Sequence, residues 1–363
     1  MVKILPVRTM KEGATMKLVG IGDLLIPSEY IKKGFEEFKN IGIDVETISW
    51  ELKNYEELQH INLLVEQGGA EVYQVPDYIL EATKEADIII TQFCTITEAL
   101  IDNCKNLKAI GVLRAGTENV NLEYASEKGI LVFNTPGRNA NAVADYTVGM
   151  LLSECRNIAK SHYELKTGNW IRDYTNAAYV PDLEGKTAGI IGYGNIGSKV
   201  AKRLRAFDMN IIAYDPYYEG DEVTMVSLEE LMKSSDFVLV HYRLTSDTKH
   251  MINKEMLELM KPTAYLINTA RSGLVDENAL VEVLKAKKIF GAAIDVFEKE
   301  PPGIDYPLVQ CDNVTITPHM AGGTKDAFLN SPVLLAREMK NVFCGETSNF
   351  LLNANKCIGN ELL

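Results

Sequence analysis

No C-x-x-C pair occurs in the chain, and its six cysteines (Cys94, Cys104, Cys155, Cys311, Cys344 and Cys357) are scattered. That spacing excludes a zinc ribbon and a disulfide framework, and it suits reduced thiols in a cytoplasmic protein. Long apolar runs are missing as well. No stretch approaches membrane-spanning length, and the amino-terminal MVKILPVRTMKEGATMKLVG lacks the apolar core of a signal peptide. Residues 1–15 read as a loose leader ahead of the first strand. There is no cationic excess: 37 Lys and Arg stand against 50 Asp and Glu, a formal net charge of -13. Nucleic acid and anionic membranes need a cationic surface, so neither is expected as the main partner. Histidine is scarce, with five in all, so one at a strand end is informative. Short repeats and low-complexity segments are also absent.

What is present suffices for two ordinary domains. The chain has 363 residues, 46% of them hydrophobic and 24% charged, enough for two cores. Short β-branched runs alternate with segments of helical period, the pattern of parallel α/β architecture. Strands are expected at Lys17–Ile21, Asp44–Ile48, Ala86–Thr91 and Leu107–Leu113. A second set follows at Thr187–Ile191, Asn210–Tyr214, Phe237–His241, Ala264–Asn268, Ile289–Ile294 and Val314–Thr317. Helices are expected at Pro27–Phe38 and Thr97–Asn103, then as one long element over Asn139–Tyr163. Further ones fall at Ile196–Phe207, Ser227–Lys233, Lys254–Met260, Glu277–Ala286 and Lys325–Phe343.

The strand at Thr187 runs into Gly192-Tyr193-Gly194-Asn195-Ile196-Gly197 and then a helix. In this G-x-G-x-x-G the first glycine makes a tight turn and the second lets backbone approach a pyrophosphate. The third lets helix and strand pack closely. N–H groups at the helix start, with its dipole, suit phosphate. Asp215 ends the next strand at close to the expected separation of about 20 residues. A carboxylate there accepts from ribose hydroxyls and repels a 2′-phosphate, which favours NAD over NADP. The ordinary alternative is a tight turn with an exposed aspartate.

Three later strands each end in an ionisable group: Asn-Thr269-Ala270-Arg271-Ser-Gly, Asp295-Val-Phe-Glu-Lys-Glu300-Pro-Pro and Thr-Pro-His319. Reduction of a 2-oxo acid needs a two-pronged clamp for carboxylate and carbonyl, which Arg supplies. It needs a proton donor near neutrality, which His supplies, and a carboxylate beside that His. Singly, each has an ordinary reading as a loop, a surface charge or a solvated turn. His60, His162 and His250 read as structural or surface residues, and His241 shares with His319 a strand-end position.

Together these segments resemble the D-isomer-specific 2-hydroxyacid dehydrogenases, a family that includes phosphoglycerate and glycerate dehydrogenases. Arg114-Ala115-Gly116-Thr117-Glu-Asn-Val and Asn134-Thr-Pro-Gly137 followed by Asn141-Ala-Val-Ala-Asp145 match as well, so the resemblance spans roughly residues 85 to 345. It implies an α/β fold of two Rossmann-like or flavodoxin-like domains with parallel sheets and an active site in the interdomain cleft. The substrate domain is expected over 1–117 and 324–363, and the NAD-binding domain over 118–323. The resemblance further implies that Arg271 binds the substrate carboxylate and carbonyl. His319 is then the general acid or base, Glu300 pairs with it, and Asp295 holds the nicotinamide carboxamide. Arg114, Ala115 and Gly116 are expected to bind substrate, with backbone N–H groups of that loop meeting the carboxylate. The cofactor is NAD, bound by Gly192–Gly197, Asp215, Thr117, Thr147, His241, Arg243, Thr269 and Ala270. A homodimer built on the cofactor domains is expected.

Departures from the family pattern carry weight. His241-Tyr-Arg243-Leu-Thr has Arg243 where the family usually has proline, which loosens the loop or adds a cation near the dinucleotide. Phosphoglycerate dehydrogenases commonly have an arginine near position 91, where this chain has Thr91, and that weighs against a phosphorylated substrate. The stretch after His319 is too short for the extra regulatory domain some of them carry, so serine feedback through such a domain is not expected. Two other readings are weighed: an NAD-sensing binding protein or corepressor, which the acidic charge and lack of extra tails disfavour, and formate oxidation, which in this family goes with Gln in place of the Glu that pairs with the His, so Glu300 argues against it.

Overall fold

The first sheet of the computed structural model, which describes residues 15–357, is built from five parallel strands. The leader expected over 1–15 lies, apart from Thr15, outside the described residues. The strands are β1 (Met16–Gly22), β2 (Ile43–Ser49), β3 (Ile88–Thr91), β4 (Ala109–Val112) and β5 (Leu131–Phe133), in the order β2-β1-β3-β4-β5. β3 and β4 are buried along their whole length, and alternate residues feed two cores. Ile89 and Ile110 join one with Leu58, Ile61 and Leu100, while Ile88, Ile90 and Ala109 join another with Phe35, Leu335 and Met339. A parallel sheet covered by helices on both faces needs such uninterrupted apolar strands. β2, at the edge, starts with alternating buried and exposed residues.

The second sheet has seven parallel strands: β6 (Thr187–Ile191), β7 (Asn210–Tyr214), β8 (Thr224–Met225), β9 (Phe237–Val240), β10 (Tyr265–Asn268), β11 (Gly291–Ile294) and β12 (Val314–Ile316). Their order, β12-β11-β10-β9-β6-β7-β8, runs outward from β6 in both directions. β6 and β9 therefore flank the switch point at which doubly wound sheets open a ligand crevice.

Two compact units result. One is Asn139–Gly323; the other holds the described residues up to Arg138 and those from Thr324. The expected boundary between 117 and 118 would have cut Leu131–Phe133 from its sheet. Those residues pair with Ala109–Gly111, so the first unit keeps the chain through Arg138.

Several elements differ from expectation for local reasons. The single helix expected over Asn139–Tyr163 is two, Ala140–Cys155 and Ile158–Lys166, separated by Asn157 at a φ of 55°. Asparagine tolerates this left-handed conformation, and the Asn157 side chain donates to Asn176 Oδ1 at 2.8 Å. The closing helix also breaks, into Lys325–Leu329 and Ser331–Phe343, with Pro332 in the first turn of the second piece. Four helices were not expected: Tyr55–Gly68, Asp77–Thr83, Leu122–Glu127 and Ala354–Cys357. All six cysteines are free thiols, five of them buried. Among the described residues, no helix is long and apolar enough to cross a membrane.

Candidate active site

The C-terminal edge of the second sheet gathers most of the expected residues within one unit. Gly192 follows β6 at a φ of 94°, and a side chain there would meet the His241 carbonyl oxygen at 2.6 Å. Gly197 opens the helix Gly197–Arg205, and a Cβ on it would collide with the Gly192 carbonyl oxygen. Gly194, by contrast, faces open space. The outer glycines are thus required by the fold itself, and the middle one leaves room for a ligand. Asn195 is exposed and Ile196 half-buried beside Gly194, whereas the Tyr193 ring is buried and packs edge-on to Tyr218.

Asp215 follows β7. Its Oδ2 accepts from Tyr193 N–H at 2.9 Å and its Oδ1 from Tyr217 N–H at 3.0 Å. One backbone donor per oxygen fixes the carboxylate and leaves acceptor capacity for two ribose hydroxyls. This geometry and the opening at Gly194 fit a dinucleotide.

His241 follows β9. Both its ring nitrogens are cut off from solvent without a partner, and burial pushes its pKa down to about 3, so the ring is neutral. Arg243 is exposed, and its carbonyl oxygen accepts from Thr248 Oγ1 at 2.8 Å.

At the end of β10, Asn268 braces the turn that presents Arg271. It accepts from Ala270 N–H at 3.0 Å and donates to the Arg271 carbonyl oxygen at 2.9 Å. This brace was not foreseen, although an asparagine closing an apolar strand is a signal. The Arg271 side chain is exposed, and only Nη1 is engaged, donating to the Ala270 carbonyl oxygen. Thr147 is fully buried; its hydroxyl donates to the Val143 carbonyl oxygen and meets Thr269 Oγ1 at 2.7 Å. The two threonines satisfy each other and brace the helix Ala140–Cys155 against the end of β10.

Asp295 follows β11 and is fully buried. Oδ1 accepts from Thr317 Oγ1 and Met320 N–H, and Oδ2 from Ala321 N–H. Its carbonyl oxygen accepts from His319 N–H at 2.9 Å. One aspartate thus pins the whole turn carrying His319, and Oδ2, with a single donor, keeps a lone pair. His319 itself sits at a φ of 51°. A left-handed residue with a Cβ costs roughly 1–2 kcal/mol, a strain the surrounding bonds hold in place.

Glu300 accepts from Phe297 N–H with Oε1 and meets His319 Nδ1 with Oε2 at 2.8 Å. A carboxylate oxygen only accepts, so Nδ1 carries a proton and Nε2 is left as the nitrogen that can exchange one. Imidazole and carboxylate therefore meet as expected. Arg271 lies along the same edge, two strands from β12, roughly 9–10 Å at the usual strand spacing.

The first unit holds the other expected substrate groups. Arg114 is buried, and its guanidinium is committed to Asn62 Oδ1 at 2.6 Å, Glu118 Oε2 at 2.6 Å and Glu66 Oε1 at 3.2 Å. Its side chain is therefore a brace within the first unit. The loop backbone is another matter. No acceptor among the described residues takes the N–H of Ala115, Gly116 or Thr117. Three successive amides are thus left available to a ligand.

Residues 148–321 match the family model of the D-isomer specific 2-hydroxyacid dehydrogenase, NAD binding domain. Over 302 residues, 81% of the chain, the sequence is 40% identical to the D-3-phosphoglycerate dehydrogenase of Methanocaldococcus jannaschii, covering 57% of that protein. Over 256 residues, 69% of the chain, it is 42% identical to the hydroxypyruvate reductase of Thermotoga maritima, covering 83% of it. The solved structure of D-2-hydroxyisocaproate dehydrogenase aligns with a TM-score of 0.70 at 25% identity, over 93% of this chain and 100% of that one. The chain thus spans little more than half the length of the phosphoglycerate dehydrogenase and most of the other two.

Proposed function

Because the chain belongs to the D-isomer-specific 2-hydroxyacid dehydrogenase family, we propose that it moves a hydride between NAD and C2 of a small D-2-hydroxy acid or 2-oxo acid. The observation that carries this reading is the 2.8 Å contact of His319 Nδ1 with Glu300, on the same sheet edge as the glycine loop. Bound nicotinamide supplies the hydride in reduction and accepts it in oxidation. His319 Nε2 gives a proton to the carbonyl oxygen in reduction and takes it from the hydroxyl in oxidation. Glu300 stabilises the imidazolium and fixes the ring. Arg271 offers its free N–H groups to carboxylate and carbonyl, and the Ala115–Thr117 amides serve the carboxylate. Asp215 receives the ribose hydroxyls, and Asp295 Oδ2 the carboxamide.

A panel of 2-oxo acids with NADH tests the reading, with formate and NAD as the rival pair. Turnover of at least one 2-oxo acid, with none of formate, is the expected result. Absence of any turnover would leave an NAD-sensing binding protein. NADH should be preferred to NADPH, and Asp215→Ala should narrow that preference; a wild-type preference for NADPH would remove the role given to Asp215.

A cytoplasmic protein is the setting that six unpaired thiols support. The homodimer is supported by apolar side chains left exposed on the second unit, Tyr163, Leu165, Trp170 and Ile171.

A further inference from the structure

Buried polar groups are almost always hydrogen-bonded, so a cluster of exceptions calls for a partner. Among the described residues ten buried side-chain nitrogen or oxygen atoms have none, and seven belong to the first unit. Their placement is not random. Asp23, Trp50, Gln92 and Asn134 are each the first residue after a strand, following β1, β2, β3 and β5. All four therefore stand on the C-terminal edge of one parallel sheet, where α/β folds bind ligands. The Ala115–Thr117 amides follow β4 on that same edge, and Asn134 Nδ2 donates to the Ala115 carbonyl oxygen at 2.6 Å.

The chemistry of the set is specific. Gln92 is fully buried with both amide atoms unpartnered, so it can donate and accept at once. Asp23 Oδ1 is occupied by Leu25 and Ile26 N–H, while Oδ2 is free. Its carboxyl is pushed up to about 6 by burial, with the Ile26 and Leu25 N–H groups and the Arg138 charge working the other way. Arg138 stacks on Phe328 and keeps Nη1 unpartnered. One carboxylate, one guanidinium and one amide together ask for a neutral group that both gives and takes hydrogen bonds. A methyl group would leave all three unsatisfied. A phosphate would face the Asp23 carboxylate with a single cation to offset it.

We propose that Gln92, with Asp23 and Arg138, selects a substrate bearing an uncharged hydroxyl beyond C2, so that this chain acts on hydroxylated, unphosphorylated 2-oxo or 2-hydroxy acids. The spacing agrees: β3 neighbours β4, so Gln92 lies roughly 5 Å along the edge from the strand that bears the carboxylate-binding amides. That is the reach of a substituent on C3 or C4. The inference rests on the dehydrogenase reading above and narrows its substrate class.

The test compares kcat/KM with NADH for hydroxypyruvate, pyruvate and phosphohydroxypyruvate, the second differing from the first only by loss of the C3 hydroxyl. A site built to hydrogen-bond a hydroxyl discriminates strongly against the analogue that lacks it. The wild-type ratio of hydroxypyruvate to pyruvate should exceed that of Gln92→Leu by about tenfold or more. Reading a ratio within each protein cancels general losses of activity and the intrinsic reactivity of the two carbonyls. Phosphohydroxypyruvate, in which a phosphate ester replaces the free hydroxyl, should be a poorer substrate than hydroxypyruvate, and Asp23→Asn should narrow that gap. Equal ratios in wild type and Gln92→Leu would overturn the proposal and mean that buried water alone serves these groups. If Gln92→Leu does not fold, Gln92→Met takes its place with the same criterion. Turnover of pyruvate as efficient as that of hydroxypyruvate defeats this inference and leaves the dehydrogenase reading intact. Turnover of none of the three, nor of glyoxylate, defeats both.

Discussion

Asp23 shows how much one side chain can demand of its surroundings. Burial raises its carboxyl to about 6 from a starting value of 3.8, so the folded chain holds that proton more tightly than the unfolded chain. The stabilisation is fully present below about pH 4 and is lost as pH rises through 6. Two units of pKa correspond to about 3 kcal/mol. Asp23→Asn, which cannot ionise, should therefore be more stable than the parent at pH 8 by up to about 3 kcal/mol and nearly equal to it at pH 4. Denaturant midpoints at the two pH values check this, and a difference that does not change with pH would contradict it. Arg271 makes a complementary demand. Only one of its N–H groups is engaged, with Ala270, and a lysine cannot reproduce the planar fork. Arg271→Lys should lower kcat/KM by about 100-fold at unchanged thermal stability, the order of two or more charged hydrogen bonds. A change below threefold would argue that Arg271 does not touch substrate.

The glycine loop separates two kinds of constraint within one element. At Gly197 an added methyl meets the Gly192 carbonyl oxygen, whereas at Gly194 it meets nothing. Gly197→Ala should lower the melting temperature, and Gly194→Ala should leave it unchanged while weakening dinucleotide binding about tenfold or more. Calorimetry and a fluorescence titration read the two effects; equal stability losses would contradict the separation. The same distinction explains what could be read in advance. Central strands such as β3 and β9 were legible because they are largely apolar runs buried along their whole length. β5 and β8, of three and two residues, are too short to carry a period. The helix Tyr55–Gly68 did carry signals, an Asn54 cap and Leu58, Ile61 and Val65 on one side, but lies far from any recognised motif. The turns that carry Arg271, Glu300 and His319 were legible as post-strand segments because each has a distinctive string after an apolar strand. That Arg114 is spent on Asn62, Glu66 and Glu118, and Thr147 on Thr269, was not. Those partners come together only through tertiary contacts.

At the scale of the whole molecule, chemistry and assembly make separate claims. Trp170 is 80% exposed, with Tyr163 and Leu165 also open to solvent, more apolar surface on one segment than a solvated monomer usually leaves uncovered. Sedimentation should show a dimer, and Leu165→Asp combined with Trp170→Asp should yield monomers; a wild-type monomer at micromolar concentration would refute the assembly. The account as a whole turns on whether the imidazole beside Glu300 exchanges the proton that accompanies the hydride. The most direct measurement is single-turnover reduction of a 2-oxo acid by bound NADH in His319→Asn, with NADH affinity measured alongside; asparagine tolerates the left-handed backbone at this position. The expected result is a rate lower by about 10² to 10⁴ with cofactor binding unchanged. A rate within threefold of wild type would contradict it.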